Sequence, residues 1–108
     1  MEEELFIEIG NKLKSAEKSQ MFGKPCFKVN GKAFICFFQD EMVFKLPEDA
    51  RATAIKLKGA QLFDPSGKGR AMKEWVQVPY VHAGKWAEFA KVAMGYVKGN
   101  FTTKDLRS

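Results

Sequence analysis

The residues best suited to chemistry form a glycine-rich basic loop, Ser66-Gly67-Lys68-Gly69-Arg70. Its glycines leave backbone N–H groups open to a ligand, and Lys68 and Arg70 add positive charge, so such a loop can bind an anion or a phosphate. It is not a nucleotide-binding P-loop, because the GxxxxGK[ST] spacing is absent and a predicted strand follows it. Two interpretations therefore stay open: an anion-binding loop, and a solvated connection between strands.

Other basic residues could extend this loop into a contact with nucleic acid. The candidate contacts are Lys68, Arg70, Lys73, Lys56 and Lys58. The chain carries a net charge of +5, but its lysines are spread along the sequence, and charge favours polyanion binding only where it clusters. Aromatic and basic residues alternate at Phe27-Lys28 and Phe44-Lys45. The predicted sheet shares its aromatic side chains between two faces, which favours core packing over base stacking.

The remaining reactive side chains predict no enzyme. His82 is the single histidine, and a general base would need an orienting acid and a nucleophile, for which the sequence has no signature. A place at a helix entry or on the surface is the better interpretation of this residue. Acidic residues lie at predicted helix starts and turns, where capping explains most of them. We predict no catalytic residue, no metal site and no cofactor.

Length and composition indicate one soluble globular domain. The 108 residues are 45% hydrophobic and 29% charged, which is ordinary for a domain with its own core. No apolar run approaches the roughly 20 residues of a membrane helix. The start, Met1-Glu2-Glu3-Glu4, is acidic rather than basic as in a secretory signal. We therefore expect a cytoplasmic protein with no membrane contact.

The segment from Met21 to Leu46 predicts a three-stranded antiparallel meander. Runs rich in Phe, Val and Ile are separated by Asn30-Gly31 and Asp40-Glu41, and Asn-Gly is the strongest short signal of a two-residue hairpin. The register that follows from this turn places Cys26 and Cys36 on opposite faces of the sheet. Both faces are apolar, so we expect both to be covered, by helices, other strands or a second subunit. Pro25 predicts an edge at its position.

The rest of the chain predicts three helices and two further strands. The expected elements are a helix over 3–18, a helix from Pro47 to Gly59, strands over 60–63 and 72–78, and a helix over 84–98. In the last helix, Trp86, Phe89, Ala90, Ala93 and Val97 form the buried stripe. The fold class is α+β, in the order α-β-β-β-α-β-β-α with an antiparallel sheet and flanking helices. We predict a single domain over 1–98 and a loose tail over 99–108.

An ordered set of short motifs resembles the TfoX N-terminal domain family. The motifs are Met21-Phe22-Gly23, Val29-Asn30-Gly31-Lys32, Phe44-Lys45-Leu46, Phe63-Asp64-Pro65, Gly69-Arg70-Ala71-Met72-Lys73 and Trp75-Val76-Gln77-Val78-Pro79, followed by the last helix. The resemblance covers about residues 5–98 and implies a fold similar to the YjbR-like and secretion-chaperone-like architecture. It also implies a link to the regulation of bacterial competence, although the second helical domain of the family's namesake does not follow here. The family defines no catalytic residue that could be carried over.

Three functional hypotheses follow. The first is a non-enzymatic bacterial binding or regulatory module that contacts a protein partner or a second copy of itself. The alternative is a nucleic-acid-associated, competence-type transcriptional regulator that uses the basic glycine-rich loop. A third is a small-molecule or enzymatic role in a pocket between the last helix and the sheet, beside His82 and Trp86.

Overall fold

The first helix is shorter than its apolar pattern predicts, and an unexpected strand follows it. The computed structural model describes residues 2–21, 23–64, 69 and 72–99; in it α1 spans Glu2–Lys12 and β1 spans Glu17–Met21. Ser15 has a φ of 73°, which no helix accommodates, so the helix cannot continue through it. The prediction of a helix over 3–18 is therefore wrong beyond Lys12. The predicted order lacks β1, because its sequence EKSQM has no apolar alternation.

The meander forms as predicted, with differences in detail. Its strands are β2 (Lys24–Val29), β3 (Lys32–Phe38) and β4 (Glu41–Lys45). Asn30 and Gly31 have φ values of 54° and 78° and Val29 pairs with Lys32, which confirms the two-residue turn. The second turn is Gln39-Asp40, with φ values of 52° and 65°, and not Asp40-Glu41. Phe38 therefore pairs with Glu41. The register of β4 against β3 differs by two residues from the predicted one, and an even shift leaves every β4 side chain on the same side as its predicted β3 neighbours.

A β-bulge overturns the predicted placement of the two cysteines. The register of β2 against β3 shifts between Phe27 and Lys28, so that Cys26 lies directly opposite Cys36. An extra residue in one strand moves every later side chain of that strand to the other face. The prediction of opposite faces is wrong, and the two thiols share one face as free, buried cysteines.

The second half of the chain completes the sheet. Its elements are α2 (Glu48–Ile55), β5 (Gln61–Phe63), β6 (Met72–Val78), a 3₁₀ helix (Tyr80–Lys85) and α3 (Trp86–Lys98). The six strands are antiparallel in the order β1-β2-β3-β4-β6-β5. This confirms a single α+β domain. Because β1 pairs with residues 24–28 of β2, β2 is not an edge strand, although at Pro25 the ladder to β3 has not yet begun.

Helix α3 ends close to its predicted limit. Gly99 follows it with a φ of 81°, and its N–H donates to the carbonyl of Tyr96, so the left-handed residue closes the last turn. Of the predicted loose tail over 99–108, only Gly99 belongs to the described residues.

The three helices pack on one face of the sheet and build the larger core. All buried hydrophobic residues of the helices belong to this core: Phe6, Ile9, Ala54, Trp86, Phe89, Ala90 and Ala93. The four that lie in α3 belong to its predicted stripe. Phe6 stacks on Phe27 with ring centroids 5.2 Å apart, and Phe44 meets Phe89 at 5.5 Å. These aromatic contacts attach α1 and α3 to the middle of the sheet.

On the opposite face of the sheet, the described residues form a second, smaller core without helix residues. Its core residues are Cys26, Cys36, Val43, Phe63 and Trp75, none of them helical. Phe38 of β3 and Phe63 of β5 lie three strand spacings apart in the sheet, about 14 Å if it were flat. Their ring centroids are only 5.1 Å apart. The sheet therefore curls toward this face, and the edge strand β5 helps to close its own second core.

Cys36 is expected to make stability fall as the pH rises from 9 toward 12. Burial, with a smaller contribution from Cys26, raises the pKa of Cys36 from its ordinary 9.0 to about 12. In this window the unfolded chain loses the thiol proton while the folded chain keeps it. The free energy of unfolding should therefore decrease by about 1.4 kcal/mol per pH unit from this one group. Urea unfolding at a series of pH values measures the slope.

Cys36→Ala tests the origin of that slope. The variant lacks the titrating thiol, so its stability should decline less steeply above pH 9, whatever its stability at pH 7. The same slope in the variant and in the parent protein would assign the alkaline decline to other groups.

Candidate functional site at the β5 edge

Exposed large hydrophobic side chains concentrate at one end of the sheet. In the described part of the chain they are Ile55, Leu62, Tyr80 and Val81, with exposed fractions from 36% for Leu62 to 79% for Val81. They belong to α2, β5 and the 3₁₀ helix. Strand β5 ends the strand order, so no described strand pairs with its outer side. An apolar cluster at an open sheet edge is where a partner most often binds.

A groove of about 500 Å³ runs between α2 and strands β5 and β6. It is lined by Glu48, Arg51, Ala52, Ile55, Leu62 and Lys73. Ile55 and Leu62 provide apolar surface, and Arg51 and Lys73 provide positive charge against the single carboxylate of Glu48. The surface of the groove is therefore mainly apolar, and its net charge is positive.

Backbone contacts hold α2 in the position that forms this groove. The N–H of Leu46, the residue after β4, donates to the carbonyl of Glu74 at 2.9 Å. Ala54 is fully buried on the side of α2 that faces the sheet, and a side chain this small lets α2 lie close to β6. The guanidinium of Arg51 donates through Nη1 to the carbonyl of Leu46 at 3.3 Å. Arg51 is thereby held against the sheet, so its orientation is limited before any ligand arrives.

His82 attaches the 3₁₀ helix to the connection between α2 and β5. Its Nε2 lies 2.9 Å from the carbonyl oxygen of Lys58, and because a carbonyl only accepts, this nitrogen carries the proton. Gly59 has a φ of 85°, and a β-carbon there would come within 3.0 Å of Pro79 Cγ. The 3₁₀ helix that carries Tyr80 and Val81 is therefore held against the connection between α2 and β5. This arrangement agrees with the interpretation of His82 as a residue of the helix entry.

The predicted basic residues fall into two groups. Lys73 lines the groove, and Lys56 and Lys58 are exposed on the connection between α2 and β5. Lys68 and Arg70 lie outside the described residues. We use the name β5 edge surface for the following residues: Arg51, Ile55, Lys56, Lys58, Leu62, Lys73, Tyr80 and Val81.

One backbone donor of the glycine-rich loop already has a partner. The N–H of Gly69 donates to Asp64 Oδ2 at 2.8 Å. The carboxylate thus takes a place that an anionic ligand would need, as Asp side chains often do in loops. The expectation that the glycines present open N–H groups is therefore wrong at Gly69.

Sequence reasoning missed three residues of the groove, Arg51, Ile55 and Leu62. In α2 the alanines mark the buried side, but the pattern does not say which part of the outer side faces another strand. In β5 only three residues pair, too few for alternation to separate Leu62 from the buried Phe63. The sequence signals that could have indicated an edge are the short length of the strand and the Gly59 and Pro65 that flank it.

Other classes of site have no support in the described residues. Within 2–21, 23–64, 69 and 72–99, no group of three or more His, Cys, Asp or Glu side chains could hold a metal ion. No helix of the same residues is long and apolar enough to cross a membrane. No protein-family model, curated protein or solved structure matches the chain.

Proposed function

We propose that this protein is a non-enzymatic binding module whose β5 edge surface receives a protein segment with apolar and acidic side chains. The observation that carries the proposal is the grouping of Ile55, Leu62, Tyr80 and Val81 at an open sheet edge. Removing apolar surface of this kind from water is the main source of affinity in protein association. An edge strand also offers backbone N–H and C=O groups to an extended segment.

Charge supports an acidic partner rather than a second copy of this chain. The surface carries Arg51, Lys56, Lys58 and Lys73, and Glu48 in the groove is the acidic residue beside them. A two-fold contact between two copies would place these cations against each other, which costs free energy. An acidic segment would instead gain both steering and specificity. Self-association through this surface is therefore the less favoured arrangement.

A nucleic-acid contact is the second candidate, favoured by Lys56, Lys58 and Lys73 lying at one edge of the sheet. In that role, Lys68 and Arg70 of the adjacent loop would complete a set of phosphate contacts. The apolar side chains between the cations favour protein, because phosphate contacts do not use them.

We also propose, from the sequence motifs, a cytoplasmic regulator of the TfoX N-terminal domain type.

Peptide selection tests the first candidate. A random peptide library displayed on phage and selected against the wild-type protein is expected to enrich sequences that combine Leu, Ile or Phe with Asp and Glu. A selected peptide, labelled for fluorescence anisotropy, should bind Leu62→Asp and Lys73→Glu about tenfold more weakly, since each loses about 1.4 kcal/mol of contact. Lys91→Glu, an equal charge change at an exposed position of α3, should bind the peptide as the wild type does.

The controls separate the alternatives. Equal weakening by Lys91→Glu would mean that net charge, and not this surface, sets the affinity. Selection of basic peptides would contradict the acidic partner. A duplex DNA titration that shows binding at low salt, with affinity falling steeply as salt rises, would favour the second candidate. Light scattering after size exclusion reports self-association, and a dimer abolished by Leu62→Asp would favour the two-fold arrangement.

A further inference from the structure

A small polar pocket lies where β3 begins and where β4 and α3 end. It is lined by Lys32, Lys45, Glu74, Tyr96 and Val97 and has a volume of about 270 Å³. Lys32 directly follows the Asn30-Gly31 turn, and Lys45 is the last residue of β4. None of these lining residues belongs to the β5 edge surface. Strands β3, β4 and β6 and helix α3 thus place two ammonium groups, a phenol and a carboxylate around one space.

The charges of this pocket do not cancel. Lys45 Nζ lies 3.8 Å from Glu74 Oε1, so one carboxylate partly compensates one cation. Lys32 is exposed and forms no ion pair within the described residues. Arg51 is not part of the lining but lies near enough to act electrostatically on Tyr96. Two lining cations against one carboxylate, with Arg51 nearby, leave the pocket positively charged, which suits an anion.

Tyr96 and Glu74 are also positioned to recognise the neutral part of a ligand. Burial raises the pKa of Tyr96, and the charge and hydrogen bond of Glu74 raise it further, while Arg51 lowers it. The phenol therefore stays protonated at neutral pH, and its O–H donates a hydrogen bond to the carboxylate of Glu74. The remaining lone pairs of both groups can only accept. They would therefore receive hydrogen bonds from hydroxyl groups of a ligand, beside the apolar wall of Val97.

We propose that this pocket binds a small phosphate monoester of a hydroxylated molecule. The phosphate, with about −1.5 to −2 charge at pH 7, lies between the ammonium groups of Lys32 and Lys45. The hydroxyl groups of the ligand donate to Glu74 and to the oxygen of Tyr96. An anionic group accounts for the excess of positive charge, and a hydroxylated body accounts for the acceptors.

Titration with glycerol 3-phosphate tests the assignment, by isothermal calorimetry and by amide chemical shifts at low ionic strength. Binding is expected to shift amides at residues 31–33, 45 and 96–97. Lys32→Ala and Lys45→Ala should each weaken it about tenfold, since each removes a hydrogen bond to a charged group. Lys14→Ala and Lys91→Ala, exposed lysines elsewhere, should bind as wild type. Tyr96→Phe should weaken glycerol 3-phosphate more than inorganic phosphate.

Three results would overturn the proposal. These are no shifts at millimolar ligand, an equal loss of affinity in Lys91→Ala and Lys32→Ala, and equal affinity for inorganic phosphate and glycerol 3-phosphate. Because Lys32 and Lys45 lie outside the β5 edge surface, peptide binding should be unchanged in their variants. A failure of this assignment is therefore distinguishable from a failure of the proposed function.

Discussion

Replacing Gly10 with alanine is expected to destabilise the fold by about 3 kcal/mol, although alanine is the better helix former. Gly10 is buried in α1, and a β-carbon built on it would overlap the ring of Phe27. That ring cannot move aside, because it is 1% exposed and stacks on Phe6 with an interplanar angle of 12°. The helix would have to lift from the sheet. Urea denaturation of the wild type and Gly10→Ala measures the difference.

Asn11→Ala is the matched control for this prediction. Asn11 is the next residue of α1 and is exposed, so alanine there should gain a few tenths of a kcal/mol from helix propensity alone. Opposite signs at neighbouring positions would show that close approach, and not propensity, explains the glycine. A stabilised Gly10→Ala variant would mean that α1 does not pack against Phe27.

Trp86→Ala is expected to cost about 4 kcal/mol, a large share of the stability of a domain this size. Trp86 opens α3, is fully buried, and meets the ring of Tyr80 edge to face with centroids 5.5 Å apart. Alanine would leave a large cavity between the 3₁₀ helix and the sheet. The midpoint and slope of urea unfolding, together with the thermal midpoint, measure the loss.

Trp86→Phe separates shape from hydrogen bonding at the same position. The Nε1 of Trp86 is buried without a hydrogen-bond partner in the described residues, so phenylalanine removes no hydrogen bond there and keeps most of the ring. We expect it to cost about half as much as alanine or less. Equal losses in both variants would indicate that the indole N–H contributes to stability through a partner.

The parts of the fold predicted correctly are those that local rules specify. Asn30-Gly31 forms its turn because both residues accept positive φ, whatever surrounds them. Strand β6 has its predicted bounds, Met72–Val78, because Trp75 and Val76 alternate between two buried faces. Of the predicted stripe of α3, Trp86, Phe89, Ala90 and Ala93 are buried as the period predicts, and Val97 is half-buried. In each case the signal lies within one segment.

The failures have a common cause. Strand β1 is polar and pairs only because β2 offers a free edge, so its own sequence resembles the end of a helix. The bulge that brings Cys26 opposite Cys36 depends on how two strands pack together. The ring contact between Phe38 and Phe63 depends on the curl of the whole sheet. None of these features is encoded in a single segment.

For the candidate sites too, the sequence indicated residue types, and the fold determined which residues lie together. The sequence singled out Lys56, Lys58 and Lys73 by type, but not that Lys73 would share a groove with Ile55 and Leu62. The pocket of Lys32, Lys45 and Tyr96 draws its residues from positions 64 apart in the chain.

From the sequence alone came the class of fold, the Asn30-Gly31 turn and the composition of the core, since backbone preference and hydrophobic period act over a few residues. Only the tertiary structure decided which polar side chains meet. Strand order, bulge and curl set those distances, and they follow from the packing of the whole domain.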